Sequence, residues 1–172
     1  MLFRSALLRR PGVPLAPQQH GGAQEGGLRA GSLPLPLIVG LQRAVELALA
    51  DREPRAARLA RLRDRLGGAL LDLGDVQLNG HPSQRLPHNL NVCIGGVDGG
   101  RMHQLLRRRI AVSSGSACSQ GSPSHVLAAL GRSRPEAAAA IRFGLGRGTS
   151  EQDIDTAIEA VSEAVVALRR VA

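Results

Sequence analysis

Short strand-length segments alternate with longer stretches of helical period along this chain, and the alternation predicts an α/β fold. Three observations carry that reading. Leu59, Leu62, Leu66, Leu70 and Leu73 recur at helical spacing, with arginines on the opposite side. Ile154, Ile158, Val161, Val165 and Leu168 form a second apolar stripe near the C-terminus. Between the two lie strand candidates bounded by the turn pairs Asn79-Gly80 and Gly95-Gly96.

Taken in order, residues 1–10 read as a short strand that ends at the turn pair Pro11-Gly12. Residues 14–31 are rich in glycine and proline and read as a loop. A helix is predicted from Leu33 onward, with Leu37, Ile38, Leu41, Val45, Ala48 and Leu49 on one face. Pro54 suits the first turn of a second helix, and Gly74 suits its C-terminal cap. Strands are expected at 75–79, 89–94, 110–113 and 139–145, and helices at 98–109 and 124–130. The final helix is expected to open on a capping box formed by Thr149 and Gln152.

Composition narrows the function classes. A chain of 172 residues has the length of about one ordinary domain and can bury a real core. The 22 strongly basic side chains are all arginine, and lysine is absent. A net charge of +8 raises the question of a polyanion partner. The arginines, however, are spread from Arg4 to Arg170, and two Phe are the only aromatic residues, so no base-stacking platform exists. Nucleic acid is therefore not an expected partner. No apolar run approaches the roughly 20 residues that span a bilayer, so no membrane association is expected and the chain reads as soluble and cytoplasmic. Residues 1–10 carry arginine and no acid, but they are too short for a transit peptide.

Two cysteines lie in different contexts. Cys93 sits among Leu90, Val92 and Ile94 and reads as a buried structural thiol. Cys118 is flanked by Ser, Gly and Ala in Ala111-Val-Ser-Ser-Gly-Ser-Ala-Cys118, which leaves a thiol exposed on a loop free to swing. The spacing of the residues leaves a reactive thiol and an ordinary loop cysteine equally open. With no secretory segment, both thiols are expected to be reduced and not disulfide-bonded. The five histidines make no ligand spacing with one another or with cysteine, so no metal site is expected.

Four ordered segments carry a family resemblance. Ser113-Ser-Gly-Ser-Ala-Cys118 resembles the active-cysteine loop of NifS/IscS-type cysteine desulfurases, of the class V aminotransferase family. His20-Gly-Gly-Ala-Gln-Glu-Gly-Gly-Leu-Arg-Ala-Gly-Ser32 is similar to that family's His-Gly-Gly-Gly-Gln-Glu-Arg-Gly-Leu-Arg-Ser-Gly-Thr segment. His88-Asn-Leu-Asn-Val resembles the strand that follows, and Ala140-Ile-Arg-Phe-Gly-Leu-Gly-Arg147 the late strand with its arginine. The order and spacing of all four agree along essentially the whole chain.

The resemblance implies the C-terminal part of a type I PLP-dependent transferase fold. Residues 1–50 would be the tail of the large PLP-binding domain, and 51–172 the small C-terminal α/β domain with the active-cysteine loop. It implies conversion of L-cysteine to L-alanine with pyridoxal 5'-phosphate, by a homodimer. Cys118 would take up the sulfur as a persulfide, for transfer to an Fe–S scaffold or sulfur-carrier protein. Arg142 would pair with the substrate carboxylate, and Ser32 would offer its hydroxyl to the cofactor phosphate of the partner subunit. Ser32 also has a second reading, as the cap of the helix that follows.

Departures accompany the match. Ala23, Gly26, Ala30, Ser32 and Ser119 each replace a different residue of the family pattern. On the family pattern this sequence begins just past the cofactor's lysine, so the chain alone is expected to be inactive and to need a complementing N-terminal half. Two other readings remain: a stand-alone persulfide carrier, and a non-functional remnant.

Overall fold

The protein is described by a computed structural model covering residues 6–115 and 124–170. The chain divides into two compact units, Met1–Arg52 and Glu53–Ala172.

In the first unit, residues 6–10 form no strand and are exposed. The Arg9 guanidinium donates to the Val13 carbonyl at 2.7 Å, folding the segment about the Pro11-Gly12 turn where a strand would need an extended partner. The glycine-rich loop holds one 3-10 turn, Gln24–Gly27, in which Glu25 and Gly26 take φ of 53° and 63°. Gln24 Oε1 closes the loop by accepting from the Gly31 N–H at 3.0 Å. Helix α1 (Leu35–Ala50) starts at Leu35, after an N-cap at Pro34, and not at Leu33, with a proline in its first two positions. None of its residues is buried, and Leu35, Val39 and Leu49 are exposed.

Helix α2 (Arg52–Leu71) opens the second unit's core by burying Leu59, Leu62, Leu66 and Leu70. Leu73 lies past its end, where Gly74 adopts φ 69°. Arg63 is buried on the same side because its guanidinium is satisfied: it donates to Asp64 Oδ1 at 2.8 and 2.7 Å and to the Leu86 carbonyl at 2.9 Å.

Three strands follow: β1 (Val76–Leu78), β2 (Asn89–Ile94) and, later, β3 (Ala140–Gly144). They form one antiparallel sheet in the order β1-β2-β3, with Leu78 opposite Val92 and Val92 opposite Ile141. Leu90, Val92, Ile94, Ile141 and Phe143 turn one face toward a core shared with α2 and with α6 (Glu151–Arg169). From α6 come Ile154, Val161, Val165 and Leu168, the stripe that its period predicts.

Helix α3 (Gly99–Leu106) is shorter than the expected 98–109 and is capped by Asp98, which accepts from the Arg101 N–H at 2.7 Å. It passes so close to the segment just before β3 that a Cβ on Gly99 would overlap the Ala138 carbonyl. The expected strand 110–113 reduces to a single bridge at Ser113. Its first residue is instead tied to α3, because Ile110 donates to the Leu106 carbonyl at 2.9 Å. Helix α4 (His125–Ala129) is capped by Ser124. Helix α5 (Arg134–Ala138), which the periodicity did not reveal, opens on a capping box between Ser133 and Glu136.

The box at the start of α6 is formed by Ser150 and Asp153, not by Thr149 and Gln152. A carboxylate near a helix N-terminus meets the positive end of the macrodipole, which a neutral amide does not exploit. The Thr149 hydroxyl instead accepts from the Gly146 N–H at 2.8 Å. The Ser150 backbone N–H and hydroxyl together hold the Asp153 carboxyl below its ordinary pKa.

Ser150→Ala is expected to lower stability to urea by about 1 kcal/mol. Because the Asp153 pKa is depressed on folding, its contribution is present above the unfolded value of 3.8 and is lost as pH falls through the lower folded value. The difference between variant and wild type should therefore shrink in acid. Limited proteolysis is expected to cut within residues 6–52 before residues 53–115 and 124–170, since among the described residues every buried apolar side chain belongs to the second unit.

Candidate functional site

The site is built on the sheet face turned away from the core. Along β2 the side chains alternate, so Leu90, Val92 and Ile94 are buried in the core while Asn89, Asn91 and Cys93 share the other face. The ladders then place a row of residues at right angles to the strands. The Asn79 N–H donates to the Asn91 carbonyl at 2.9 Å, Asn91 is the register partner of Arg142, and Arg142 is bridged to Ser113. Asn79, Asn91, Arg142 and Ser113 thus lie side by side on one face.

The Arg142 N–H and carbonyl are both used by Ser113, at 2.8 and 3.1 Å. Asn91 and Arg142 are therefore a non-hydrogen-bonded pair, the closer of the two antiparallel arrangements, with Cα atoms about 4.5 Å apart.

Arg142 ends the row at the surface. Its Nη2 donates to Ser113 Oγ at 3.1 Å, and the Ser113 hydroxyl in turn donates to the Gly115 carbonyl at 2.8 Å. Among the described residues no acidic side chain pairs with Arg142, whereas Arg109 meets Glu159 and Glu163, and Arg65 meets Asp155. A planar guanidinium with one neutral partner is suited to receive a carboxylate from outside.

The other end of the row is buried. The Arg132 Nε donates to Asn79 Oδ1 at 2.6 Å and its Nη2 to the Leu78 carbonyl at 2.9 Å. Asn79 Nδ2 donates to Asn91 Oδ1 at 2.6 Å and to Cys93 Sγ at 3.1 Å. Cys93 is enclosed with Leu127, Ala137 and Ala140. Arg85 donates to the Asn79 carbonyl at 2.9 Å, and burial, reinforced by the nearby Arg63 charge, pushes its guanidinium below the ordinary arginine value.

Of the sequence-predicted residues, Arg142 stands on β3 with its side chain exposed. Cys118 lies outside the described residues, three positions beyond Gly115. Ser32 belongs to the first unit, is exposed, and does not cap α1, whose N-cap is Pro34. His20 is also exposed. The row adds Ser113, Asn91, Asn79 and Arg132, none of which the sequence reading had given a role in the site. The period-2 alternation of Asn89-Leu-Asn-Val-Cys-Ile was the available signal for Asn91. A separate open cleft of about 280 Å³, lined by Ile110, Val112, Phe143, Leu145 and Asp153, includes neither Arg142 nor Ser113. Among the described residues, no three His, Cys, Asp or Glu side chains gather as a metal site.

The aminotransferase class-V family model matches residues 17–157. The chain belongs to that family. It is 44% identical, over 95% of its length, to the cysteine desulfurase IscS of Methylococcus capsulatus, of which it covers 41%. It is 45% identical, over 94% of its length, to the mitochondrial cysteine desulfurase of Eremothecium gossypii, of which it covers 33%. Among solved structures, a NifS-like protein superposes with a TM-score of 0.80 at 34% identity, across 92% of this chain and 41% of that one. A NifS-like protein from Rickettsia africae gives 0.77 at 27% identity, across 88% of this chain and 40% of its own. The chain thus spans less than half the length of these relatives, and its α/β architecture is that of part of a fold-type-I enzyme.

This family is PLP-dependent. The donors present suit two of the three groups that such a site must hold. Ser32, whose hydroxyl has no hydrogen bond among the described residues, suits a phosphate; Arg142 suits a substrate carboxylate. The cofactor aldehyde needs a primary amine, and the sequence contains no lysine to supply one.

Arg132→Ala would leave the Asn79 amide oxygen buried without its 2.6 Å donor. Chemical denaturation is expected to show a loss of about 1–3 kcal/mol. The exposed Arg108→Ala, in the same assay, should stay within about 0.5 kcal/mol of wild type.

Proposed function

We propose that this chain supplies the sulfur-accepting and carboxylate-binding part of a cysteine desulfurase, which converts L-cysteine to L-alanine and leaves a persulfide on Cys118. The observation that carries the reading is the Arg142 guanidinium, exposed, without an acidic partner, and held by Ser113 at 3.1 Å. The strand bridge at Ser113 also opens the segment that leads, five residues on, to Cys118. Family membership and the names of the relatives agree with the assignment.

In this reading Arg142 receives the α-carboxylate of cysteine as a charge-assisted pair and orients the amino acid. The Cys118 thiolate attacks the substrate sulfur, forming an S–S bond as the C–S bond breaks. The electron pair left on the substrate carbon is protonated to give alanine. Pyridoxal phosphate, bound where a lysine from outside these residues anchors it, is the electron sink that makes the C–S bond labile. Ser32 contributes a hydroxyl to its phosphate. The bound sulfur then passes to an Fe–S scaffold or sulfur-carrier protein in the cytoplasm.

A second chain is part of the proposal, either a copy of this one in a homodimer or a complementing N-terminal half. Helix α1 supports it, since a 16-residue helix with exposed leucines and valine and no buried side chain offers an apolar surface for a partner to cover.

The test is reconstitution of the chain with a lysine-bearing N-terminal half, pyridoxal phosphate and L-cysteine. Alanine should appear, and peptide mass spectrometry should find a persulfide on Cys118 but not on the buried Cys93. Cys118→Ser should lose the persulfide, and Arg142→Ala should raise KM for cysteine at least ten-fold, the loss expected for a charged hydrogen-bonded pair. Alanine without a persulfide on Cys118, or an unchanged KM in Arg142→Ala, would sink the respective assignment.

A further inference from the structure

The polar row on the sheet has a direction, and it is set at the buried end. A guanidinium donates hydrogen bonds and accepts none. The Asn79 atom 2.6 Å from Arg132 Nε is therefore the amide oxygen, which makes the Asn79 NH2 the donor to its neighbour. The Asn91 atom that it meets at 2.6 Å is in turn the oxygen. Arg132 thus fixes, through two amides, which end of Asn91 remains: the Nδ2 with its N–H groups, on a residue whose close cross-strand partner is Arg142. Among the described residues that Nδ2 has no hydrogen-bond acceptor. Asn91 is half-buried, Arg142 exposed, and the two share one face.

We propose that Asn91 is a second donor of the carboxylate subsite, its N–H completing beside the Arg142 guanidinium a platform for the planar carboxylate of a small α-amino acid. This rests on the reading of Arg142 given above and deepens it. A carboxylate has two oxygens and about four lone-pair directions, more than one guanidinium edge satisfies, so an adjacent neutral N–H finds an acceptor. Being uncharged, it adds direction without drawing anions in general. A side chain of either opposite polarity or negative charge at this position would face the incoming anion with an acceptor.

The experiment is an NMR titration of the full 172-residue chain with L-alanine, following the Asn91 Nδ2 and Arg142 Nε resonances, with L-alaninamide as the control lacking a carboxylate. Both resonances should move along one saturation curve with L-alanine, and neither should saturate with the amide. Asn91→Ala should weaken binding about ten-fold, the size expected for a hydrogen bond to a charged group, and Asn91→Asp should abolish it. The Asn79 Nδ2 signal reports whether the buried half of the row survives each substitution. If Arg142 saturates while Asn91 Nδ2 stays still, or Asn91→Ala binds as wild type does, the inference about Asn91 is wrong and Arg142 stands. If Arg142 itself does not respond to L-alanine, the carboxylate reading of Arg142 falls, and this inference with it. The wild-type titration decides the question even if a variant fails to fold.

Discussion

Burial of one face of β2 places everything on the other. Leu90, Val92 and Ile94 are within 2% of complete burial, pressed between α2 and α6. With a side-chain period of two, a slip of one residue would drive Asn91 into that core and put Val92 beside Arg142. The slip is opposed by the loss of three large apolar contacts, each of about 1.5–3 kcal/mol. Register is thus a consequence of the hydrophobic effect, and the row Asn79–Asn91–Arg142–Ser113 inherits its accuracy from it. No polar interaction on the open face has to be strong for the face to be well defined.

The absence of lysine acquires a structural meaning beside its chemical one. Several arginines act here as forks that close backbone ends. Arg58 donates to the Arg147 and Thr149 carbonyls ahead of α6, and Arg169 to the carbonyls of Leu73, Gly74 and Gly95. Arg132 blocks the free edge of β1 at Leu78 while it orients Asn79. A planar guanidinium reaches two or three acceptors at once, which an ammonium on a flexible stem does less well. Much of the +8 charge is therefore committed to internal acceptors. Arg142, whose bonds run to a single serine hydroxyl, stands apart from these for that reason.

The parts of the fold that burial dictates were legible in the residues. The stripes on α2 and α6 and the extent of β2 follow from periodicity, because those residues choose their conformation by what they bury. The failures occur where local hydrogen bonds compete. Residues 6–10 are apolar enough for a strand but have no partner, and the Arg9–Val13 bond folds them into a turn. Residues 110–113 are held by α3 at one end and pair only at Ser113. The α6 cap moved by one residue because the Asp153 carboxylate accepts from the Ser150 N–H, while the Thr149 N–H is already taken by the Gly146 carbonyl. Arg142 was legible through its motif. Its neighbours were not, since Asn79 and Ser113 are distant in sequence and meet it only across strands.

The two groups proposed as anion ligands stand on supports of different stiffness. Arg142 is held by backbone bonds to Ser113 within a sheet whose far face is fully packed. Ser32 belongs to a unit that contains no buried apolar side chain among the described residues, where the chain is shaped by local contacts such as the Gln24–Gly31 bond and by glycines with positive φ. A guanidinium fixed before binding loses little entropy when a carboxylate arrives, whereas a hydroxyl on a coreless loop must be ordered at that moment. Of the two proposed ligand groups, Arg142 is thus the one held in place before binding. The same packing difference that separates the two units therefore sets how much ordering each proposed group still needs on binding.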